Sequence, residues 1–162
     1  MSDLVASRSQ ARTFCTFRSQ GRLYGIDVKA VREVSAHLVV TPVPQAPSII
    51  RGLANLRSRI ILVLDMRAAL GQPSTACTLD SRLIVLQPHV VEQVGLLVDQ
   101  GGEIIRALPD RIENSSRIAT DPIDPPAYEH SDLVVEVCKL ENELMMIIDP
   151  PRLVTAVERA VR

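Results

Sequence analysis

Residues 59–71 read RIILVLDMRAALG, an unbroken aliphatic run that ends at an aspartate and a short amphipathic segment. An apolar run of this length, bounded by polar residues, is typical of a buried β-strand. Asp65 stands where a helix would begin and can cap it, and Gly71 suits the position after its last turn. The stretch therefore predicts a buried strand over Arg59–Leu64 and a helix over Met66–Leu70.

The same pattern returns near the end of the chain. Leu144–Ile148 is a second aliphatic run, and Asp149 follows it as a helix cap. Pro150 and Pro151 fit the first turn of a helix, because proline lacks the amide hydrogen that this turn leaves unpaired. Each half of the chain is thus predicted to contain an apolar strand that leads into an aspartate-capped helix, the second of which runs to about Val161.

A second internal repeat is a strand glycine followed closely by an aspartate. Gly25 precedes Asp27, and Gly95 precedes Asp99. Alternating or continuous apolar residues predict the other strands, which are Thr13–Arg18, Leu23–Ile26, Leu38–Val43, Arg82–Gln87, Val90–Asp99, Glu103–Leu108 and Leu133–Leu140.

Glycine, proline and polar residues predict the connections. The predicted turns are Ser19–Arg22, Gln100–Gly102 and Glu141–Glu143. Asp27 is predicted to cap a short helix with Val28 and Val31 one turn apart, and Pro47 to begin a one-turn helix that Gly52 ends. Residues 109–131 are predicted to form a long, polar, proline-bearing loop.

About nine or ten short strands in two similar sets predict an all-β fold with a few short helices. We expect two small β-barrels that share one hydrophobic core, followed by a C-terminal helix. Residues 1–11 are expected to be a disordered tail, and residues 12–162 one domain of two intertwined lobes with a boundary near 65–82. The core must be aliphatic, because the chain has only two Phe, two Tyr and no Trp.

Composition argues against several classes of protein. The net charge is −1, whereas nucleic-acid-binding proteins usually carry a basic surplus or a basic stripe. The longest apolar runs are too short to cross a membrane, and no signal-peptide pattern opens the chain. We therefore expect a soluble cytoplasmic protein that binds no nucleic acid and is not inserted into the membrane.

The sequence contains no catalytic motif. His37, His89 and His130 are scattered without metal-ligand spacing, and Gly101-Gly102 matches no phosphate-binding pattern. The three cysteines lie far apart and predict reduced, mostly buried thiols. Helix capping accounts for Asp27, Asp65 and Asp149 without catalysis. We expect no enzyme activity, no metal and no cofactor.

Several motifs, taken in order, closely resemble the CheW family. They are Tyr24–Val28 (Y-G-I-D-V), Val31–Val34 (V-R-E-V), Ile50–Arg57 (I-R-G-L-A-N-L-R) and Ile60–Arg67 (an apolar strand closing in D-M-R). Gly95–Asp99 and Leu144–Asp149 resemble the family's later strands. The resemblance spans roughly residues 13–155.

This resemblance implies two SH3-like, five-stranded β-barrels with a shared core. It also implies an adaptor that couples the cytoplasmic tips of chemoreceptors (methyl-accepting proteins) to the regulatory domain of a CheA-type histidine kinase. In such arrays the receptor lies in an apolar groove between the lobes. The positions that match receptor-binding positions of the family are Val31, Glu33, Val34, Arg57 and Ile104.

Other residues of the motifs are assigned structural roles in turns and caps. They are Gly25, Asp27, Gly52, Asn55, Asp65, Gly95 and Asp149. Ser58 departs from the family pattern, because it occupies the position of the glycine that usually follows N-L-R. If that position has a positive φ, serine there would cost about 1 kcal/mol.

Some alternatives stay open at this level. Val31 and Val34, one helical turn apart, could be ordinary core residues, and Arg57 could simply pair with a nearby carboxylate. Within the family, Ser58 suggests a divergent adaptor that binds the kinase or other array proteins without receptor coupling. Outside it, a nucleic-acid-binding barrel or a small-ligand barrel would fit the strand pattern, with few aromatic residues to support the former.

Overall fold

A computed structural model describes residues 10–36, 39–114 and 132–161. Most of the predicted N-terminal tail and of the predicted loop over 109–131 lies outside the described residues. Among the described helices, none combines the length and the apolar character needed to cross a membrane.

Twelve strands form two six-stranded sheets in the described chain. We number the strands β1 to β12 and the two α-helices α1 and α2 in chain order. The first sheet has the order β10-β11-β12-β2-β1-β9. Its strands are β1 (Arg12–Ser19), β2 (Arg22–Asp27), β9 (Gln100–Ala107), β10 (Ile112–Asn114), β11 (Val134–Lys139) and β12 (Leu144–Ile148).

The second sheet has the order β3-β7-β8-β6-β5-β4. Its strands are β3 (Val31–Ser35), β4 (Val40–Thr41), β5 (Ile50–Leu56), β6 (Arg59–Asp65), β7 (Arg82–Leu86) and β8 (Val94–Val98). Helix α1 (Met66–Ala69) follows β6, and helix α2 (Pro151–Val161) follows β12. We refer to the first sheet with its packed residues as lobe A and to the second as lobe B.

The chain exchanges strands between the lobes. Strands β1 and β2 belong to lobe A, but the chain then crosses to lobe B for β3–β8 and returns to lobe A at Asp99 for β9–β12. The segment near 65–82, predicted as the lobe boundary, separates the two sequence repeats instead. Neither lobe is a continuous stretch of the chain, because the first hairpin of each sequence repeat is part of the sheet that the other repeat mainly forms.

The two aliphatic runs, Ile60–Leu64 and Leu144–Ile148, occupy equivalent places in the two lobes. Strand β6 runs parallel to β8, with Val63 opposite Gly95, and β12 runs parallel to β2, with Ile147 opposite Gly25. In each lobe an antiparallel hairpin strand flanks this parallel pair on either side. The internal repeats are therefore structural repeats, and the expectation of two similar β lobes with a C-terminal helix is confirmed.

Three clusters of buried apolar side chains stabilise the lobes within the described residues. The largest joins both sheets and α2, with Phe17, Leu64, Leu96 and Leu153 among its buried members. A second lies within lobe A and a third within lobe B. Central strands are consequently buried on both faces, as in β8, where every residue is buried. This double burial explains why the strands read as continuous aliphatic runs rather than as alternating ones.

Several local predictions were wrong. The segment from Val31 to Val34 is strand β3, preceded only by a short 3₁₀ turn over Val28–Ala30 that Asp27 caps. The predicted turn Gln100–Gly102 is the start of β9, because the chain needs only Asp99 to pass from one sheet to the other. The segment after Pro47 contains turns rather than a helix.

Two motif residues have different structural roles from those predicted. Gly52 does not end a helix but lies inside β5, where a Cβ would come within 2.2 Å of the Thr41 carbonyl oxygen of the edge strand β4. Asn55 also lies within β5, opposite Ile60, rather than in the turn. The strand predicted over Leu38–Val43 begins at a residue outside the described part of the chain, and within that part it covers only Val40–Thr41, in keeping with the proline at position 42. The predicted loop over 109–131 begins with a 3₁₀ turn, Pro109–Arg111, and the short strand β10.

The equivalent strand glycines yield a stability prediction. A Cβ at Gly95 would lie 2.7 Å from Leu83 Cδ1 and 2.9 Å from its Cγ, whereas a Cβ at Gly25 would meet the more adaptable Met145 at 2.7 Å from Sδ. We expect Gly95→Ala to lower the free energy of unfolding by about 1–3 kcal/mol, through overpacking, and Gly25→Ala to lower it by less. Urea unfolding of the two variants measures this difference, and equal losses would contradict the packing account.

Candidate functional site

The junction of the lobes is where the described structure brings the predicted binding residues together. Strand β3 is the last strand of the lobe B sheet, and β9 is the last strand of the lobe A sheet. The two strands lie close together there: a Cβ placed on Gly102 of β9 would be 3.9 Å from Cγ1 of Val34 in β3. Val34 is 36% exposed and Ile104 is 55% exposed. Both aliphatic side chains are available to a partner.

Val31 differs from Val34. It packs against the shared core and is only partly exposed. The interpretation of the two valines as one edge of a helix was wrong, since both lie in β3 with a register shift between Val31 and Glu33. Val31 therefore lies where a core residue would, whereas Val34 is exposed and could contact a partner.

Arg57 lies at the tip of the β5–β6 hairpin. Leu56 pairs with Arg59, so Arg57 and Ser58 form a two-residue loop. Their φ angles are 52° and 66°. Positive φ at both positions is the signature of a type I′ turn, whose twist matches that of the flanking strands. The turn holds Arg57 outward with 78% of its side chain exposed.

Arg57 also makes the carboxylate contact that the sequence left open. Its Nε lies 3.6 Å from Oε1 of Glu33, whose side chain is 21% exposed. An exposed pair at this distance contributes little to stability. Its consequence is geometric, because it places the arginine next to Glu33 of β3. Val34 and Ile104 lie on the edge strands that meet between the lobes, and the Arg57–Glu33 pair lies on the other face of β3, because neighbouring residues of a strand point to opposite faces. We refer to these four residues as the junction site.

Polar contacts fix the lobes to each other behind the junction site. Arg67 of α1 donates to both carboxylate oxygens of Asp99, at 2.7–3.0 Å, and Asp99 also accepts from the amide of Gln20 in the β1–β2 turn. The hydrogen bonds to Asp99 raise the pKa of Arg67 above its usual value. Ser19 and Tyr24 of lobe A both hydrogen-bond to the side chain of Gln72, just after α1. Lobe orientation is therefore set by directional bonds as well as by the core.

The motif aspartates have structural partners. Asp65 is buried, accepts from the amide of Ala68 in α1 and from the guanidinium of Arg51 at 3.0 Å. Asp27 accepts from the amide of Lys29 at 3.0 Å. Asp149 precedes α2, with its carboxylate 3.7 Å from Arg152 Nε. Asp27 and Asp65 thus cap the turns that follow them, whereas the contact of the Asp149 side chain is an ion pair, and its capping role stays a prediction.

No group of three or more His, Cys, Asp or Glu side chains within the described residues could hold a metal ion. Burial raises the pKa of the thiols of Cys15 and Cys138, which favours their protonated form at neutral pH. The remaining cysteine, Cys77, is exposed.

Sequence reasoning missed one part of the junction. Glu103 precedes Ile104 in β9, just as Glu33 precedes Val34 in β3. Elsewhere in lobe A, Arg18 of β1 donates a hydrogen bond of 2.7 Å to Glu143 of the β11–β12 hairpin. Hydrogen bonds from Arg18 lower the pKa of Glu143. The repeated acidic–aliphatic pair after each Gly-to-Asp strand is the sequence signal that could have identified Glu103.

Comparisons with known proteins show which family this chain resembles. Residues 13–158 match the family model of the CheW-like domain. The chemotaxis protein CheW of Rhizobium meliloti is 32% identical over 110 residues, which cover 68% of this chain and 70% of that protein. The chemotaxis protein CheW of Bacillus subtilis is 29% identical over 147 residues, which cover 90% of this chain and 88% of that protein.

A solved structure supports the fold. The scaffolding protein TtCheW from Thermoanaerobacter tengcongensis superposes with a TM-score of 0.71 at 28% sequence identity. The match covers 86% of this chain and 89% of that one. The likeness thus extends over both lobes.

The type I′ turn yields a second stability prediction. Ser58 has a φ of 66°, a region that glycine occupies without steric cost. We expect Ser58→Gly to raise the free energy of unfolding by up to about 1 kcal/mol. Ser74→Gly, in an exposed segment without positive φ, is the control and should be neutral or slightly destabilising. Thermal unfolding measures both, and equal effects of the two changes would show that position 58 is not strained.

Proposed function

This chain belongs to the CheW-like family, and from that membership we propose that it is a non-catalytic scaffold that couples chemoreceptors to a CheA-type histidine kinase. It acts in the cytoplasm, at arrays that its partners assemble. The partners are the cytoplasmic tip of a chemoreceptor and the regulatory domain of the kinase.

One observation carries the proposal. The junction site presents two exposed aliphatic side chains, Val34 and Ile104, on the edge strands of the two lobes, and the β5–β6 turn presents an outward-facing arginine, Arg57, in contact with Glu33 of β3. Arginine is enriched at interface hot spots, and aliphatic side chains next to it supply apolar contact area. A small surface of this kind suits a partner that binds between the lobes.

The physical mechanism is linkage through a rigid body. A scaffold that contacts receptor and kinase at once lets the conformation of one bias the activity of the other. Rigidity matters, because a flexible connection between the lobes would let one partner change conformation without affecting the other. The shared core and the hydrogen bonds of Gln72 with Ser19 and Tyr24 support that rigidity. Individually weak contacts suffice, since many scaffolds in one lattice act by avidity.

The alternative without receptor coupling rests on Ser58, and the geometry of the turn speaks against it. Ser58 adopts the positive φ that the turn requires, and Arg57 still reaches Glu33. The replacement of glycine by serine therefore leaves the arginine at the junction site. We retain receptor coupling as the proposed role.

Direct binding tests the function. We expect the purified chain to co-purify with the regulatory domain of a CheA-type kinase and, separately, with a chemoreceptor cytoplasmic fragment, both encoded in the same genome. Binding to the kinase domain alone would support the alternative role in the lattice. Binding to neither would refute the proposal.

Substitution of Arg57 tests the site. We expect Arg57→Ala and Arg57→Glu to fold normally, because the side chain is largely exposed, yet to lose most receptor-dependent control of kinase activity in a reconstituted array. Arg111→Ala, an exposed arginine in the 3₁₀ turn of lobe A, is the matched control. Unchanged kinase control in the Arg57 variants would remove this residue from the site.

A further inference from the structure

Gln72, which lies outside both sheets, reaches from the end of α1 in lobe B to two buried hydroxyl groups of lobe A. Its side-chain oxygen accepts a hydrogen bond from Ser19 Oγ at 2.6 Å, and its side-chain nitrogen donates to the hydroxyl of Tyr24 at 3.3 Å. Ser19 is 1% exposed and Tyr24 is 3% exposed. An amide carries an acceptor and a donor at the end of one side chain, so Gln72 binds both hydroxyls at once.

The backbone of Gln72 is fixed by the way in which α1 ends. Gly71 has a φ of 74°, the left-handed conformation that commonly follows a helix. The amides of Gly71 and Gln72 donate to the carbonyls of Ala68 and Arg67, at 3.1 and 2.7 Å. These two bonds form a Schellman motif, which holds the residue after the glycine against the last turn of the helix. The position of Gln72 is therefore set by α1 rather than by the exposed segment that follows.

The bonds of Gln72 lie next to a point at which the chain passes between the lobes. Asp99 alone separates β8 from β9. Its carboxylate accepts from Arg67 of lobe B and from the amide of Gln20, the neighbour of Ser19, in lobe A. A crossing of one residue keeps the lobes close, but its two soft backbone dihedrals allow the lobes to pivot. Other contacts must fix the angle between them.

Hydrogen bonds are suited to fix that angle. Burial of apolar surface in the shared core brings the lobes together, but this effect is non-directional. Hydrogen bonds weaken steeply when distance or angle departs from the favoured geometry. Sliding of one lobe on the other would also leave the buried hydroxyl of Ser19 without its bond to Gln72, which costs free energy.

The angle between the lobes determines the gap at the junction site. Strand β9 shares a sheet with Ser19 and Tyr24, whereas β3 belongs to the sheet of lobe B. The two strands are in near contact, since a Cβ on Gly102 would be 3.9 Å from Cγ1 of Val34. A rotation of one lobe would consequently move Ile104 relative to Val34.

We propose that Gln72 is a positioning residue that holds the two lobes at one angle and so sets the spacing of β3 and β9 before a partner binds. The inference rests on the proposed function, which supplies the partner, the cytoplasmic tip of a chemoreceptor. A partner that contacts both strands would otherwise have to order the lobes as it binds, and this ordering lowers affinity. Gln72 acts through Ser19 and Tyr24, without a contact of its own to the partner.

Gln72→Met tests the inference, because methionine has nearly the same length but lacks the amide. We expect the variant to fold and its affinity for a chemoreceptor cytoplasmic fragment to fall about fivefold, within the usual range of coupling between sites. Titration calorimetry measures the affinity. In a double-mutant cycle with Ser19→Ala, the two losses of affinity should not add, because both changes remove the same bond.

Spin labels measure the arrangement of the lobes directly. Glu92→Cys in lobe B and Asn142→Cys in lobe A give each lobe one exposed thiol, in a chain whose exposed Cys77 is changed to serine. We expect the distribution of distances between the two labels to be broader with Gln72→Met than with the native glutamine. Binding of the receptor fragment should narrow it again.

Gln87→Met is the matched control. Gln87 is also a half-buried glutamine, but its amide donates at 3.3 Å to the carbonyl of Val31, so that this bond lies within lobe B. We expect this change to lower the unfolding temperature much as Gln72→Met does, with native receptor affinity and native label distances. Tyr24→Phe removes one bond of Gln72 and keeps the ring that stacks on Phe17, and it carries the same expectations in smaller measure if Gln72→Met does not fold.

Two results would overturn the inference. Native affinity and a native distance distribution in Gln72→Met would show that the core alone sets the angle. Equal losses of affinity in Gln72→Met and Gln87→Met would show that lower stability, rather than the arrangement of the lobes, weakens binding. Failure of the native chain to bind the receptor fragment would instead refute the proposed function, and the label distances would still decide whether Gln72 holds the lobes.

Discussion

The structure depends on double burial of its central strands. Strands such as β8 have no solvent-facing side, because one face packs into the cluster of its own lobe and the other into the core shared by both. Aliphatic side chains meet this demand with little need for large aromatic rings, and the described aromatic residues Phe17 and Tyr24 stack on each other within the shared core. Gly25 and Gly95 are part of the same constraint, since side chains opposite them fill the space that a Cβ would take.

That packing leaves the edges of the sheets for function. Strands β3 and β9 each pair on one side only, and they end their sheets where the lobes meet. Residues there can be exposed without loss to the core, so Val34 and Ile104 remain available while their strand neighbours are anchored. Hydrogen bonds between the β1–β2 hairpin of lobe A and lobe B then connect the lobes near these edges, because Ser19 donates to Gln72, Gln72 donates to Tyr24, and the amide of Gln20 donates to Asp99.

Much of the fold was predictable from sequence, and the failures have physical causes. Aliphatic runs with following aspartates identified β6, β12 and both helices, since burial and capping are local signals. The spacing of Val31 and Val34 suggested a helix, but these residues form a strand because they pair with β7. That partner strand lies about fifty residues away in the chain, so local spacing could not reveal it. The turn at Gln100–Gly102 failed for a similar reason, because glycine in a strand can mark close packing as well as a turn. Ser58 was located correctly from its motif, whereas Glu103 needed the strand register to become visible.

The exchange of hairpins between the repeats has a consequence for biosynthesis. When β1 and β2 leave the ribosome, the strands that complete their sheet, β9–β12, have not yet been translated. The nascent N-terminal hairpin must therefore wait with an apolar face exposed until nearly the whole polypeptide has emerged. Long-range pairing of this kind slows folding and exposes the intermediate to aggregation. Neither half of the chain can be expected to fold as an autonomous fragment, because each contains only part of each sheet.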